Sequence, residues 1–452
     1  MNPTECRLAS GNSATSRFAE MAQRNTSPNH SALARMADYS AIGVAAAIPW
    51  STSATGILIG LWLIALFPTL DFSTIRREFL TLAGGLPVLL CVLAVIGMMW
   101  AHVPWIDRFA GLGGFYKLLA IPIILTHFRR SDKATWLLAA FLISCSLLLI
   151  LSYGLALWPG LTWRGARSPG VPVKEYLAQS TEFVICFFVL LAIGFRLVRD
   201  RPLVSVGAFV VAASFLVNGF YIASSRTALV VTAVLLFVFA FRQWEWKKAG
   251  AALLAAITCA FFVWQTSTYL RTELGLVPGE VQRYLSENAR TRSGERLEYW
   301  QKSISFIGDA PILGHGTGSI RELFRQAAGQ SGASALISDN PHNQTLTIAI
   351  QLGIAGVALL YAMWMGHLRL FLGTNLPAWV GLVIVVQNLV SSLFNSHLFD
   401  FTHGWIYVVG VGVAGGTVLR CQDNAKGPNP SYATGLNLSE NRLRSEDRLP
   451  RR

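Results

Sequence analysis

Long apolar segments alternate with short polar loops along most of the chain. Twelve such blocks can be distinguished, at about residues 38–50, 53–70, 82–100, 107–127, 134–157, 176–196, 202–221, 226–242, 249–266, 343–367, 376–395 and 402–419. Most of them approach the roughly 20 residues that an α-helix needs to cross a bilayer. Inside lipid the backbone must satisfy its own hydrogen bonds, so such blocks are expected to be helical. The pattern predicts an all-α polytopic membrane protein with about 12 transmembrane helices.

The same pattern divides the chain into five regions. A polar tail (1–37) precedes nine helices (38–266), a large polar loop (267–341), three more helices (342–420) and a second polar tail (421–452). The first tail has no apolar core of a cleavable signal peptide, so the first membrane helix is expected to direct insertion. Within the large loop, Leu297, Trp300, Ile304 and Ile307 recur at helical spacing and predict an amphipathic helix.

Composition agrees with this class and excludes others. Hydrophobic residues make up 53% of the chain and charged residues only 13%, against roughly 25% charged in soluble domains. A soluble enzyme, a DNA-binding protein and a secreted disulfide scaffold are therefore excluded. No C-x-x-C pair is present, so neither a disulfide framework nor a zinc site is indicated.

The net charge of +13 would suggest a nucleic-acid partner in a soluble domain. Here the Lys and Arg residues lie mainly in short loops between apolar blocks, where they predict the orientation of the protein in the membrane. One set of alternate loops holds twelve Lys and Arg residues, and the opposite short loops hold five. By the positive-inside rule, both termini are expected in the cytoplasm and the loop 267–341 outside it. In a Gram-negative cell this places the protein in the inner membrane, with the loop in the periplasm.

The segment from Asp339 to Gln344 is the first candidate site. Asn340 is interpreted as the N-cap of the tenth helix, Pro341 as its first residue and His342 as part of its first turn. The positive end of the helix dipole disfavours imidazolium there. A neutral imidazole at the membrane–water boundary can take a proton from a hydroxyl group, which makes His342 a candidate catalytic residue. The alternative is that the segment is simply a helix start.

Arginines at the outer helix ends form a second candidate site. Guanidinium groups bind phosphate oxygens in a bidentate manner, which suggests a lipid-linked phosphate or diphosphate ligand. The alternative is interfacial anchoring to membrane lipids. These arginines are Arg164, Arg167, Arg226, Arg292 and Arg296.

Three further residues are candidates for lining a substrate cavity: Lys117, Lys174 and Asn343. Lys117 lies near the middle of the fourth block, where a charge is costly and marks a functional residue by default. Its alternative is a lysine that extends to the interface, if the helix begins later.

Several motifs are absent or incomplete. The stretch Pro311–Gly318 is rich in glycine but lacks the Gly-Lys-Ser/Thr ending of a P-loop, which favours a tight turn. No Asp-x-Asp, His-Glu-x-x-His or Gly-x-Ser-x-Gly motif occurs. The usual motif that holds a divalent metal on a sugar diphosphate is therefore missing.

The chain resembles the O-antigen ligase and polymerase superfamily of bacterial membrane glycosyltransferases. His342-Asn343, nine further residues and Gly353-Ile354-Ala355-Gly356 match the His-Asn-x9-Gly-x-x-Gly signature of the ligases. Supporting features are Ser225-Arg226-Thr227-Ala228 and the series Arg296, Trp300 and Pro311–Gly316.

The resemblance implies a bundle like the C-type glycosyltransferases, with the site beneath one large periplasmic loop. It implies a polysaccharide donor on undecaprenyl diphosphate, an acceptor hydroxyl on the lipid A–core, and neither metal nor ATP. Arg226 and Arg296 would neutralise the diphosphate with help from Arg164, Arg167 and Arg292, while His342 would activate the acceptor and the anomeric carbon would invert. An O-antigen polymerase, a protein O-oligosaccharyltransferase and a flippase for lipid-linked sugar remain alternatives.

Overall fold

The computed structural model describes residues 28–426 except 159, 161–169 and 224, and every element assigned in this part is helical. The α-helices are α1 (Pro28–Ala47), α2 (Thr52–Leu66), α3 (Phe72–Phe79), α4 (Leu82–Gly97), α5 (Trp105–Leu112), α6 (Ala120–Arg130), α7 (Ala134–Leu157), α8 (Tyr176–Leu197), α9 (Pro202–Tyr221), α10 (Arg226–Gln243), α11 (Trp246–Thr266), α12 (Thr268–Glu287), α13 (Arg292–Asp309), α14 (Ile320–Gln326), α15 (Gln344–Leu370), α16 (Leu376–Ser391) and α17 (Phe401–Lys426). Short 3-10 turns cover Phe67–Thr69, Tyr116–Leu119 and Ala333–Ala335.

The protein is an all-helical, multi-pass membrane protein. Among the described residues, eight helices are long and apolar enough to cross a membrane, and ten if each of two bent pairs is one span. The bent pairs are α3 with α4, at 82°, and α5 with the segment Tyr116–Arg130, at 45°. The other two predicted blocks are the helices α1 and α16, the latter with 16 residues. The count of twelve spans stays a prediction.

Side-chain contacts define two ends of the bundle. At one end Lys174, before α8, donates to Ile48 O after α1 and lies 3.0 Å from Thr402 Oγ1 in α17. At the other end Arg129 of α6 bonds Asp423 of α17 at 2.7 Å and Glu78 of α3 at 2.6 Å. Helices α10 and α15 begin at the first of these ends, which we call the His342 end.

The predicted amphipathic helix in the large loop is present as α13, and one residue of the predicted series, Ile307, packs against a small core. Ile304 is 65% exposed, whereas Tyr299 and Phe306 are buried in this core with Phe324 and Ile350. This core is formed by α13, α14 and the first half of α15, so it attaches the loop to the membrane bundle. The apolar series contained only one residue at this core, because the contacts with α14 and α15 determine which side chains are buried.

The helix α15 is broken at Gly353, which has a φ of 58°. The turn Pro311–Gly316 inserts into this break: its His315 N donates to Ile350 O at 2.8 Å, and Ile354 N donates to Pro311 O at 2.9 Å. A Cβ at Gly353 would lie 2.2 Å from Ile312 O, so both the backbone angle and the close approach require glycine. The inserted turn therefore satisfies backbone groups that the break leaves free. The expectation of a tight turn at Pro311–Gly318 is confirmed.

Candidate active site

His342 lies immediately before α15 and not in its first turn, so the predicted helix start was wrong. The N-cap is Asn343, whose Oδ1 accepts from Leu346 N at 3.1 Å and whose Nδ2 donates to Leu393 O at 3.0 Å. Asn340 instead forms an Asx turn, in which its Oδ1 accepts from His342 N at 2.8 Å. This turn holds His342 at a φ of 54°. Left-handed backbone at a non-glycine residue costs energy and is concentrated at functional sites.

The His342 imidazole lies between α13 and the turn 392–400, which connects α16 to α17. Its Nδ1 is 2.9 Å from Asn395 Oδ1, and its ring stacks on Tyr299 with centroids 5.8 Å apart and planes 24° apart. Burial lowers the pKa of His342 below its ordinary 6.5; the charge of Arg296 acts in the same direction, and the bond to Asn395 opposes it. The direction is the one expected from the sequence, but its main cause is burial and not the helix dipole.

Arg226 is the first residue of α10 and forms an ion pair with the carboxylate of Glu280. Its guanidinium bonds Glu280 of α12 in a bidentate manner, at 2.9 and 3.2 Å, and donates to Ser293 Oγ at 3.2 Å. The hydrogen bond from Arg226, supported by Ser293, lowers the pKa of Glu280 to about 2. Glu280 therefore occupies the donor pair of Arg226 that a phosphate would use.

The other predicted arginines differ in their surroundings. Arg292 is 61% exposed and lies 3.3 Å from Glu273. Arg296 is half-buried on α13 and makes no hydrogen bond or ion pair with any residue in the described part of the chain. Its positive charge acts on both His342 and Arg226. Arg164 and Arg167 lie outside the described residues.

Lys117 and Lys174 hold the turn between α16 and α17. Lys117 is buried, and its Nζ donates to Phe399 O and Asp400 O, both at 2.8 Å. Lys174 donates to Ile48 O and to Thr402 Oγ1. Lys117 is therefore not exposed at the surface of the protein. The contacts of both lysines are structural, and their role in a substrate cavity stays a prediction.

Known proteins resemble this part of the chain. Residues 208–361 match the family model described as O-antigen ligase. This segment of the chain is similar to the O-antigen ligase family. The matched segment includes α10, the α12–α14 loop, His342 and the break at Gly353. An "Uncharacterized protein" of Haemophilus influenzae is 26% identical over 182 residues, which is 38% of this chain and 44% of that protein. The chain thus spans less than half of the length of this curated relative.

The turn that completes the site around His342 was missed from the sequence. Asn395 was counted as the last residue of an apolar block, and His397, Asp400 and His403 were not considered. The available signal was a polar run, Asn395-Ser396-His397, between two strongly apolar blocks. Only the fold brings this run against His342, because the two segments are more than 50 residues apart.

Three residues of this region have the chemistry of metal ligands. One ligand atom from each of His397, Asp400 and His403 lies within 4.8 Å of the others. However, Asp400 Oδ2 already accepts from His397 Nδ1 at 3.1 Å and Asn395 Nδ2 at 3.3 Å, and the Lys117 ammonium contacts the Asp400 carbonyl. A divalent cation would have to displace these donors beside an existing positive charge. The arrangement favours a hydrogen-bond network, and the absence of a metal stays a prediction.

Proposed function

We propose that this protein is an O-antigen ligase, a glycosyltransferase that moves a polysaccharide from undecaprenyl diphosphate to a sugar hydroxyl of the lipid A–core. The observation that carries the proposal is the pairing of two groups in the matched segment. His342, held by Asn395 and stacked on Tyr299, has a lowered pKa and can accept a proton. Arg296, whose positive charge acts on His342, is a guanidinium without a partner among the described residues. Transfer from a sugar diphosphate needs both a base and a cation for the leaving group.

The glycosyl transfer step needs only these two groups, His342 as the base and Arg296 as the cation. The acceptor oxygen attacks the anomeric carbon while His342 takes the hydroxyl proton, and the bond between that carbon and the diphosphate oxygen breaks. Undecaprenyl diphosphate leaves with the bonding electron pair, and Arg296 neutralises the charge that develops on it. Attack from the face opposite the leaving group inverts the anomeric carbon. No ATP is needed because the donor already carries a good leaving group.

Arg226 has a second, conditional role in this proposal. Its donors face Glu280 and Ser293, so it can bind the diphosphate only if the phosphate oxygens replace the carboxylate. Arg292, at the exposed rim, is suited to attract the donor, and Arg164 and Arg167 keep their proposed helper role from the sequence. Asn343 contributes by capping α15 directly after His342.

The orientation belongs to the proposal as well. The excess of Lys and Arg in one set of loops supports a cytoplasmic location for both termini and a periplasmic location for the His342 end. The lipid A–core acceptor would then meet the donor at the outer face of the inner membrane. The hydrophobic parts of both substrates would remain among the membrane lipids.

Deleting the gene in its own bacterium and separating the lipopolysaccharides by size tests this function. A ligase predicts loss of every species in which polymer is joined to the core, with long polymer accumulating on undecaprenyl diphosphate. A core that still carries one repeat unit would instead identify a polymerase. Donor retained in the cytoplasmic leaflet would identify a flippase.

A further inference from the structure

We infer that Asn395 is a positioning residue for His342: it selects the imidazole tautomer with the proton on Nδ1 and leaves Nε2 free to accept a proton. The inference rests on the proposed function for its catalytic meaning, but the tautomer itself is a property of the folded protein. It makes the turn 392–400 part of the active site.

The orientation of the Asn395 amide follows from two neighbours. Ser396 N lies 2.9 Å from Asn395 Oδ1, and a backbone N–H can only donate. On the opposite side of the amide, Asn395 Nδ2 lies 3.3 Å from a carboxylate oxygen of Asp400, which accepts. The carbonyl oxygen of Asn395 must therefore face Ser396 N, and its NH2 group must face Asp400. These two contacts resolve the usual ambiguity between the oxygen and the nitrogen of an asparagine amide.

The tautomer of His342 follows from this orientation. Its Nδ1 is 2.9 Å from Asn395 Oδ1, an acceptor, and must therefore donate. A neutral imidazole has one N–H, so the lone pair is on Nε2. A base that abstracts a proton needs that lone pair, and a partner that fixes the tautomer through the other ring nitrogen is the arrangement used by catalytic triads.

The Asn395 side chain is held firmly enough to orient a neighbour. It is 8% exposed, and its partner Asp400 is bound by His397 Nδ1 at 3.1 Å. The buried Lys117 ammonium fixes the backbone carbonyl of Asp400. A chain of contacts thus runs from a buried ammonium to the imidazole. Because the group that contacts His342 is a neutral amide and not a carboxylate, it orients the ring without adding a negative charge that would favour imidazolium.

The tautomer can be measured without any activity. The protein contains eight histidines, and ¹⁵N-histidine labelling in nanodiscs gives their ring nitrogen shifts, with His342 assigned by its loss in His342→Ala. We expect a protonated Nδ1 and an unprotonated Nε2 in the wild type at pH 8, and loss of this preference in Asn395→Ala. A wild-type resonance with the proton on Nε2 would overturn the inference whatever the protein's function.

Kinetics test whether Asn395 acts through His342. In proteoliposomes with undecaprenyl-diphosphate-linked O-antigen and lipid A–core purified from the deletion strain, Asn395→Ala should lower the maximal rate about 10- to 100-fold, as removal of comparable orienting partners does. The apparent KM for both substrates should change little. The double variant His342→Ala/Asn395→Ala should be no slower than His342→Ala alone. If the rate losses of the two single variants multiply in the double variant, Asn395 acts independently of His342.

Asn395→Asp keeps an acceptor at this position but adds a charge. It should retain more activity than Asn395→Ala, and the acidic limb of its pH–rate profile should move to higher pH because a carboxylate favours imidazolium. An unmoved limb would contradict the inference. Asn388→Ala is the matched control: it truncates another buried asparagine, which bonds Trp364 and not His342, and should leave the rate unchanged. Full activity of His342→Ala would instead refute the proposed function.

Discussion

Replacing Glu280 by glutamine tests whether Arg226 binds the donor or only attaches the loop to the bundle. Glu280 contacts both donors of the Arg226 guanidinium, and its side chain is only 14% exposed. The substitution keeps the size of the side chain and removes its charge. If the diphosphate must replace Glu280, the variant should bind the donor more tightly than the wild type.

The magnitude follows from the pKa of Glu280. The difference between about 2 in the folded protein and an ordinary 4.5 is equivalent to about 3 kcal/mol, which screening by the nearby water reduces to about 1–2 kcal/mol. The apparent KM for the donor should therefore fall about 5- to 30-fold. Since the folded-state pKa is lowered, the contact stabilises the docked loop fully above pH 4.5 and weakens only as the pH falls towards 2.

Initial rates against donor concentration, at saturating lipid A–core in proteoliposomes, measure this effect. Glu322→Gln is the matched control, because it removes a glutamate paired with Arg325 at 2.6 Å on α14 and should leave the KM unchanged. Arg226→Ala should remove most activity, and Arg226→Ala/Glu280→Gln should recover none of it. A Glu280→Gln variant with a higher KM, or a double variant with restored activity, would show that Arg226 is structural.

Three further predictions concern the second arginine, the orientation and metals. Arg296→Ala should abolish transfer, and Arg296→Lys should recover little activity, because lysine lacks the planar bidentate donor. A fully active lysine variant in the same assay would refute direct phosphate binding. In a cysteine-free background, Leu285→Cys should react with an impermeant thiol reagent in outer-membrane-permeabilised cells and Asp132→Cys should not, and the reverse labelling would overturn the orientation. Purified enzyme should keep its rate in EDTA, whereas inhibition that magnesium reverses would contradict a metal-free mechanism.

The helices were predictable from the sequence because lipid imposes a strong, local requirement on every spanning segment. All twelve apolar blocks are helical in the structure. The start of α15 was not predictable in the same way, because Asn340 and Asn343 are equally good caps by residue type. Tertiary contacts decide between them: Ser396 Oγ bonds Asn340 Oδ1 at 2.7 Å, and Gln344 N bonds Ser392 O at 2.8 Å.

From the sequence, only those site residues that belong to a local motif could be predicted. His342, Arg226 and Arg296 belong to recognisable patterns, and the fold brings them to one end of the bundle. Glu280 was one acidic residue in a loop of balanced charge, and its contact with Arg226 depends on how α12 docks. Asn395 was counted with an apolar helix because hydropathy does not report which polar side chain meets a partner 53 residues away.

The rate of glycan transfer by His342→Ala tests the central claim most directly. General-base assistance is typically worth about 10²- to 10⁴-fold, so the variant should lose at least that factor while its expression and melting temperature in detergent stay near those of the wild type. Wild-type activity should also fall as the pH drops through the His342 pKa, below 6.5, because burial disfavours the charged ring. A folded His342→Ala protein that joins polymer to lipid A–core at a near-normal rate would contradict the proposed mechanism.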